Sequence, residues 1–189
     1  MLYHSPYELN LNYNDYALYA ILELMNPMFL ALRAYLNDYD KLKSDFKNII
    51  EGRWTSGDNL HATICYFGNK LTLEELLEKL PSAFEKLEPL TLDSLEYFSH
   101  NNILYAKPRG YTLDALHSSI CDLFSLEQTK AFTPHVTLMR MKKINDKRAF
   151  AELLKSYKNR EIGTTGITVE LMQSNFYPSG VKYETIKKF

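Results

Sequence analysis

Two tetrapeptides of one pattern, His61-Ala-Thr-Ile64 and His135-Val-Thr-Leu138, stand 74 residues apart, and each sits in an apolar run of strand character. With 5 His and 12 Thr in 189 residues, chance supplies roughly 0.3 such His-x-Thr triplets. The order of elements around them repeats as well: helix, strand, helix, hairpin, then helix, strand, helix, hairpin. Shifting Thr72, a helix cap, by the same offset lands on Asp146, and shifting Leu92 of the first hairpin lands on Gly166, where the later hairpin begins. Identity between the halves is low, so the repeat is one of form. It predicts an α+β fold of two lobes about a pseudo-two-fold axis, with a boundary near 108–112 and the two His-x-Thr strands meeting at the centre.

The individual elements follow from pattern. Residues 1–15 lack periodicity and read as an N-terminal tail to a domain over 16–189. Residues 16–24 read as a buried strand ended by Asn26-Pro27, which then starts a helix with Tyr35, Tyr39, Leu42, Phe46 and Ile49 as its apolar stripe and Gly52 as its stop. A strand over 60–67 closes at Gly68-Asn69. Thr72-Leu-Glu-Glu75 is a capping box for a helix with Leu73, Leu76, Leu77 and Leu80 on one face. Strands near 90–98 and 102–107 form a hairpin at His100-Asn101, and 112–126 carries a helical pattern. A strand over 132–139, a helix capped by Asn145, and two strands flanking Pro178-Ser179-Gly180 complete the chain.

On a strand, residues i and i+2 share a face, so each His projects with its Thr while Ala62, Ile64, Val136 and Leu138 point the other way. Each lobe then offers one imidazole and one hydroxyl to a shared cleft. Imidazole titrates near pH 6.5, so one copy can act as general base and the other as general acid. Thr hydroxyls are neutral donors suited to the non-bridging oxygens of a phosphodiester. The set fits metal-free in-line displacement at phosphorus. Zinc at His61 and His135 is the competing chemistry, but no third ligand stands at a ligand spacing, and no cofactor is called for. His4, His100 and His117 read as structural or solvated.

The net charge of −1 argues against coating nucleic acid by charge alone. Cys65 and Cys121 each lie in an apolar stretch, as buried free thiols of a reducing compartment do. There is no signal-peptide pattern and no apolar run long enough to span a membrane, which points to a soluble cytoplasmic protein.

At its two motifs the sequence resembles the 2H phosphoesterase superfamily, and within it the RNA 2′,3′-cyclic phosphodiesterases, also called 2′-5′ RNA ligases. The resemblance runs from about Tyr16 to Phe189. It is carried by Arg53-Trp54, Asn59-Leu-His-Ala-Thr-Ile-Cys-Tyr-Phe-Gly68, Thr133-Pro-His-Val-Thr-Leu-Met-Arg140, and Ser174 through Gly180-Val-Lys-Tyr183. It implies two antiparallel sheets lining a central cleft with helices outside. It also implies hydrolysis of a terminal 2′,3′-cyclic phosphate to a 2′-phosphate, with reversible, ATP-independent joining as a side activity.

By that resemblance His61 is the proton donor to the leaving O3′ and His135 the proton acceptor, while Thr63, Thr137 and Arg140 hold the phosphate. Tyr19 would stack on the terminal base, Ala17 stands where many relatives carry a basic residue, and Trp54 packs. Strict alternation places Arg140 on the face opposite His135 unless the strand bends. The implied partners are RNA ends bearing a 2′,3′-cyclic phosphate or small cyclic nucleotides, met by a monomer. A phosphodiesterase for a small cyclic nucleotide or a 2′-5′ oligonucleotide, and a non-catalytic RNA-end binding module, are the alternatives. A ligase that consumes ATP is disfavoured, since Lys-x-Asp-Gly and a P-loop are both missing.

Overall fold

The computed structural model describes residues 26–127, 131–178 and 180–189. Among the described residues, eight strands and four α-helices follow one another. They are β1 (Met28–Leu36), α1 (Tyr39–Asp45), β2 (Ile50–Trp54), β3 (His61–Gly68), α2 (Leu73–Lys79), β4 (Thr91–Phe98), β5 (Ile103–Pro108), α3 (Thr112–Leu123), β6 (Val136–Ile144), α4 (Lys147–Ser156), β7 (Gly163–Tyr177) and β8 (Gly180–Lys188). Among the described residues all strand pairs are antiparallel, and the eight strands form one continuous sheet made of two four-stranded halves. One runs β3-β1-β7-β8 and the other β2-β6-β5-β4. Two thin seams join them: the single pair Ala62–Val136 between β3 and β6, and Thr91–Thr164 with Leu92–Gly163 between β4 and β7.

This is the duplicated, cleft-bearing α+β architecture that the repeat of form implies, with one rearrangement. Residues 108–112 lie at the join of β5 and α3 and do not divide one sheet from the other, because each sheet takes strands from both sides of that point. The helices pack on the outer faces. Phe46 at the end of α1 and Phe150 of α4 meet Trp54 and Tyr97 on the second sheet, while Phe124 at the end of α3 meets Phe67 of β3 on the first.

One region departs from the helical expectation. The stretch expected as a long helix from Pro27 to Gly52 is β1, α1 and β2. Six of the nine side chains of β1 are buried, the pattern of a central strand covered on both faces, and a short apolar run of that kind has no period that distinguishes strand from helix. The helix that does form starts at Asp38, whose side chain accepts from the Lys41 amide at 2.9 Å. Gly52 ends no helix. It lies where β2 crosses close over β6, and a Cβ there would collide with the Arg140 carbonyl oxygen.

The remaining elements agree with their patterns. The Thr72–Glu75 capping box is formed in both directions. The strand expected over 132–139 is β6, beginning four residues later, and the cap of α4 is Asp146, which accepts from Ala149 N at 2.9 Å. Asn145 instead donates to Glu51 Oε1 at 2.8 Å. Residues 1–25, with the expected tail, the strand over 16–24, Ala17 and Tyr19, lie outside the described residues, and the strand that flanks β3 is β1.

Candidate active site

Ala62 and Val136 pair at the seam and are fully buried, so their side chains face the core. Extending that antiparallel register by one residue in each direction sets His61 across from Thr137 and Thr63 across from His135, all four on the cleft face. The two imidazoles therefore occupy one diagonal of a rectangle and the two hydroxyls the other. Diagonal neighbours on adjacent strands lie roughly 7–8 Å apart at the backbone, which leaves room for one tetrahedral group between the ring tips. The pseudo-two-fold axis passes through the Ala62–Val136 pair.

Each imidazole is held in the same way. His61 Nδ1 donates to Asn59 O at 2.7 Å and His135 Nδ1 donates to Thr133 O at 2.8 Å, in both cases the carbonyl two residues upstream. That bond fixes the tautomer and leaves Nε2 free for chemistry. Asn59 is itself stapled to β8, donating from Nδ2 to Val181 O at 2.7 Å and accepting from Tyr183 N at 3.3 Å. Aromatic rings bracket both imidazoles: Phe29 and Tyr183 lie 5.0 and 4.6 Å from His61, and Phe98 and Tyr105 lie 5.1 and 5.6 Å from His135.

These surroundings act on the proton affinities. Burial, then the nearby charges of Arg33 and His135, pushes His61 down to about 4, against the bond to Asn59 O. Burial and the Arg140 guanidinium lower His135. Both rings are thus mainly neutral at pH 7 in the free protein. Burial, which the sequence does not show, sets this preference. Arg33, opposite His61 on β1, is tied to Glu170 Oε2 at 3.2 Å, Asp58 O at 2.6 Å and Thr185 Oγ1 at 2.9 Å.

A paired irregularity decides which further residues reach the cleft. Against β1, the register of β3 skips Ile64, and against β5 the register of β6 skips Leu138. These are β-bulges one residue past each His-x-Thr, again 74 positions apart, and each reverses the inside–outside parity of the residues after it. Cys65 and Phe67, like Met139 and Met141, therefore turn into the core. Tyr66 and Arg140 turn to the cleft face, Tyr66 with 62% of its surface exposed.

The charge of Arg140 is felt at both His135 and Tyr183, as this placement requires. Both bulge carbonyls are captured: Ile64 O by His117 Nδ1 at 2.7 Å, and Leu138 O by Thr55 N at 2.8 Å and the Tyr39 hydroxyl at 3.0 Å. His117 thus braces the bulge of β3 through Nδ1, and His100 is exposed on its hairpin. A cleft of about 290 Å³ adjoins the site, bounded in part by Arg53, Trp54, Asn59, Arg140 and Tyr183. Sequence pattern does not mark Tyr66 or Tyr183 as site residues. An aromatic in the last positions of a His-x-Thr strand is the available signal for Tyr66, but without the bulge its face is undetermined.

Residues 50–175 match the 2′-5′ RNA ligase superfamily, which spans both motifs and two thirds of the chain. The RNA 2′,3′-cyclic phosphodiesterase of Methanocaldococcus jannaschii is 23% identical over 146 residues, covering 70% of this chain and 80% of that protein. Among solved structures, Escherichia coli LigT in complex with 3′-AMP superimposes with a TM-score of 0.62 at 17% identity, over 87% of this chain and 97% of LigT. TT0787 of Thermus thermophilus gives a TM-score of 0.62 at 18% identity, over 86% and 96%. The family match over most of the described residues, together with the shared fold, establishes that this chain belongs to the 2′-5′ RNA ligase superfamily of 2H phosphoesterases.

Proposed function

We propose that the protein is an RNA 2′,3′-cyclic phosphodiesterase that hydrolyses a terminal cyclic phosphate to a 2′-phosphate. The observation that carries this reading is the diagonal pair of imidazoles with Nδ1 tied back in both, flanked by two hydroxyls. Thr63 and Thr137 donate to the non-bridging phosphate oxygens, and Arg140 adds positive charge beside His135. His135 Nε2, neutral, takes the proton of the attacking water as its oxygen bonds to phosphorus. His61 Nε2 gives a proton to O3′ as the P–O3′ bond breaks.

The arriving phosphate anion is what charges His61: an opposite charge a few ångströms away raises an imidazole pKa, and a ring that resists protonation in the free protein is a strong acid once it holds the proton. Water adds across one P–O bond, and the two rings exchange protonation states. Run in the same direction with a 5′-hydroxyl in place of water, the displacement breaks P–O3′ and joins the ends through a 2′-5′ phosphodiester without ATP. Tyr66, exposed on the cleft face, is a platform for the terminal base alongside the expected Tyr19. All these groups come from one chain, so the active unit is a monomer.

The test is release of 2′-phosphate from a short RNA ending in a 2′,3′-cyclic phosphate, with and without EDTA. His61→Ala and His135→Ala should each abolish it, and chelation should not. Full activity in His61→Ala, or loss on chelation restored by metal, defeats the reading. The adjoining cleft of about 290 Å³ is the size of one nucleoside and favours, as a second reading, a small cyclic nucleotide as substrate. Comparing kcat/KM on nucleoside 2′,3′-cyclic phosphates with that on longer RNA separates the two, and tight binding without turnover would point to the binding module.

A further inference from the structure

The bulge at Ile64 turns Cys65 away from the cleft toward α3. That helix presents His117 and Cys121 four residues apart, hence on one face. One donor atom from each of Cys65, His117 and Cys121 lies within 4.8 Å of the others, and Cys121 Sγ is 3.5 Å from His117 Nε2. The thiols are buried and not joined as a disulfide. His117 Nδ1 donates to Ile64 O at 2.7 Å, so the lone pair of the imidazole is on Nε2, the nitrogen beside the thiols. Phe132 stacks on the ring at 3.9 Å and 6°, fixing its plane from the other side.

We propose that Cys65, His117 and Cys121 bind one soft d10 metal ion, Cu(I) in trigonal coordination, independently of the phosphate chemistry on the opposite face. Two thiolates and an imidazole are soft donors that select Cu(I) or zinc, and the cluster contains no carboxylate, which disfavours magnesium, calcium and manganese. Three donors complete a trigonal Cu(I) site, whereas zinc requires a fourth ligand. A ligating histidine ordinarily donates its other N–H to a carbonyl or carboxylate, and here that partner is already in place. Binding exchanges two S–H protons for the ion, with no change of oxidation state. His117, half-buried, provides the path of entry.

The experiment uses the full chain, reduced and anaerobic, challenged with Cu(I) held by bathocuproine disulfonate, with Zn(II) in a parallel titration. One equivalent of Cu(I) per chain should leave the probe, and Cu(I) should be held more tightly than Zn(II). Tm should rise by roughly 5–10 °C at about a hundredfold excess over Kd. Cys121→Ala and His117→Gln should both lose this uptake. His117→Gln keeps both thiols at a half-exposed position, so it reports even if Cys121→Ala unfolds, and circular dichroism tells the two outcomes apart. Copper retained by the probe, uptake unchanged in a folded variant, tighter retention of zinc, or a 2 Da mass loss from a disulfide without bound metal would each overturn the proposal.

Discussion

Lowering the pH should cost this protein stability through one ring. In the unfolded chain His61 titrates near 6.5, whereas in the folded protein burial pushes it down to about 4. Between these values the unfolded state binds a proton that the folded state refuses, so stability rises with pH across the window and is lost as pH falls from 6.5 toward 4. A difference of this size is worth about 3 kcal/mol, a large share of the 5–15 kcal/mol typical of a domain. Other groups titrate in the same range, so the measurement is a double difference: urea unfolding of the parent and of His61→Asn, each at pH 7 and pH 4.5. The parent should lose about 2–3 kcal/mol more than the variant. Equal losses, or an imidazole that titrates near 6.5 by NMR in the folded protein, would refute the reasoning from burial.

The geometry sets four further outcomes. Thr63→Val or Thr137→Val, each nearly isosteric, should lower kcat by about 10²–10³-fold with little change in Tm, as loss of a donor to a developing oxyanion does; a change confined to KM would argue against that role. Tyr66→Ala should cost about 1–3 kcal/mol of binding for a substrate with a base, and nothing for ribose 2′,3′-cyclic phosphate, in parallel kinetic assays. Tyr39→Phe removes a hydroxyl held near two carbonyls, including that of the Leu138 bulge, and should lower stability by about 1 kcal/mol in denaturant unfolding while reducing kcat through Thr137. Binding of a single-stranded RNA end should depend weakly on salt, with a log–log slope of about −0.7 to −1.4 for one or two phosphates. A slope steeper than about −3 would mean that a longer stretch of backbone is gripped.

How much the sequence reveals depends on whether a feature is local. His61 with Thr63, and His135 with Thr137, need only the two-residue period of a strand, and their repetition in a repeated order of elements supplies the cleft. Arg140 needs more, since its side of the sheet is set by a single extra residue at Leu138, visible only as a slipped register against β5. Tyr66 is hidden by the same device at Ile64. The strand β1 reads as helix because an apolar run buried on both faces has no alternation to display, and the helix-like spacing of Tyr35, Tyr39, Leu42 and Phe46 straddles two elements. The neutrality of both imidazoles reflects burial by Phe29, Tyr183, Phe98 and Tyr105, side chains drawn from four other strands.

The interleaving of strands between the sheets bears on how the molecule is made. The strand carrying His61 has β1 as its neighbour, and β1 pairs in turn with β7, whose partner residues lie 127 to 145 positions further along. During synthesis from the N-terminus the first sheet cannot close until β7 has left the ribosome, and the Asn59 staple waits for Val181 and Tyr183. A chain stopped after α3 owns one imidazole and one hydroxyl of the site and an unpaired flank of β1, so it has neither the chemistry nor a covered edge. Such non-local pairing makes for slow folding, and activity should appear late and all at once, with no half-built enzyme along the way.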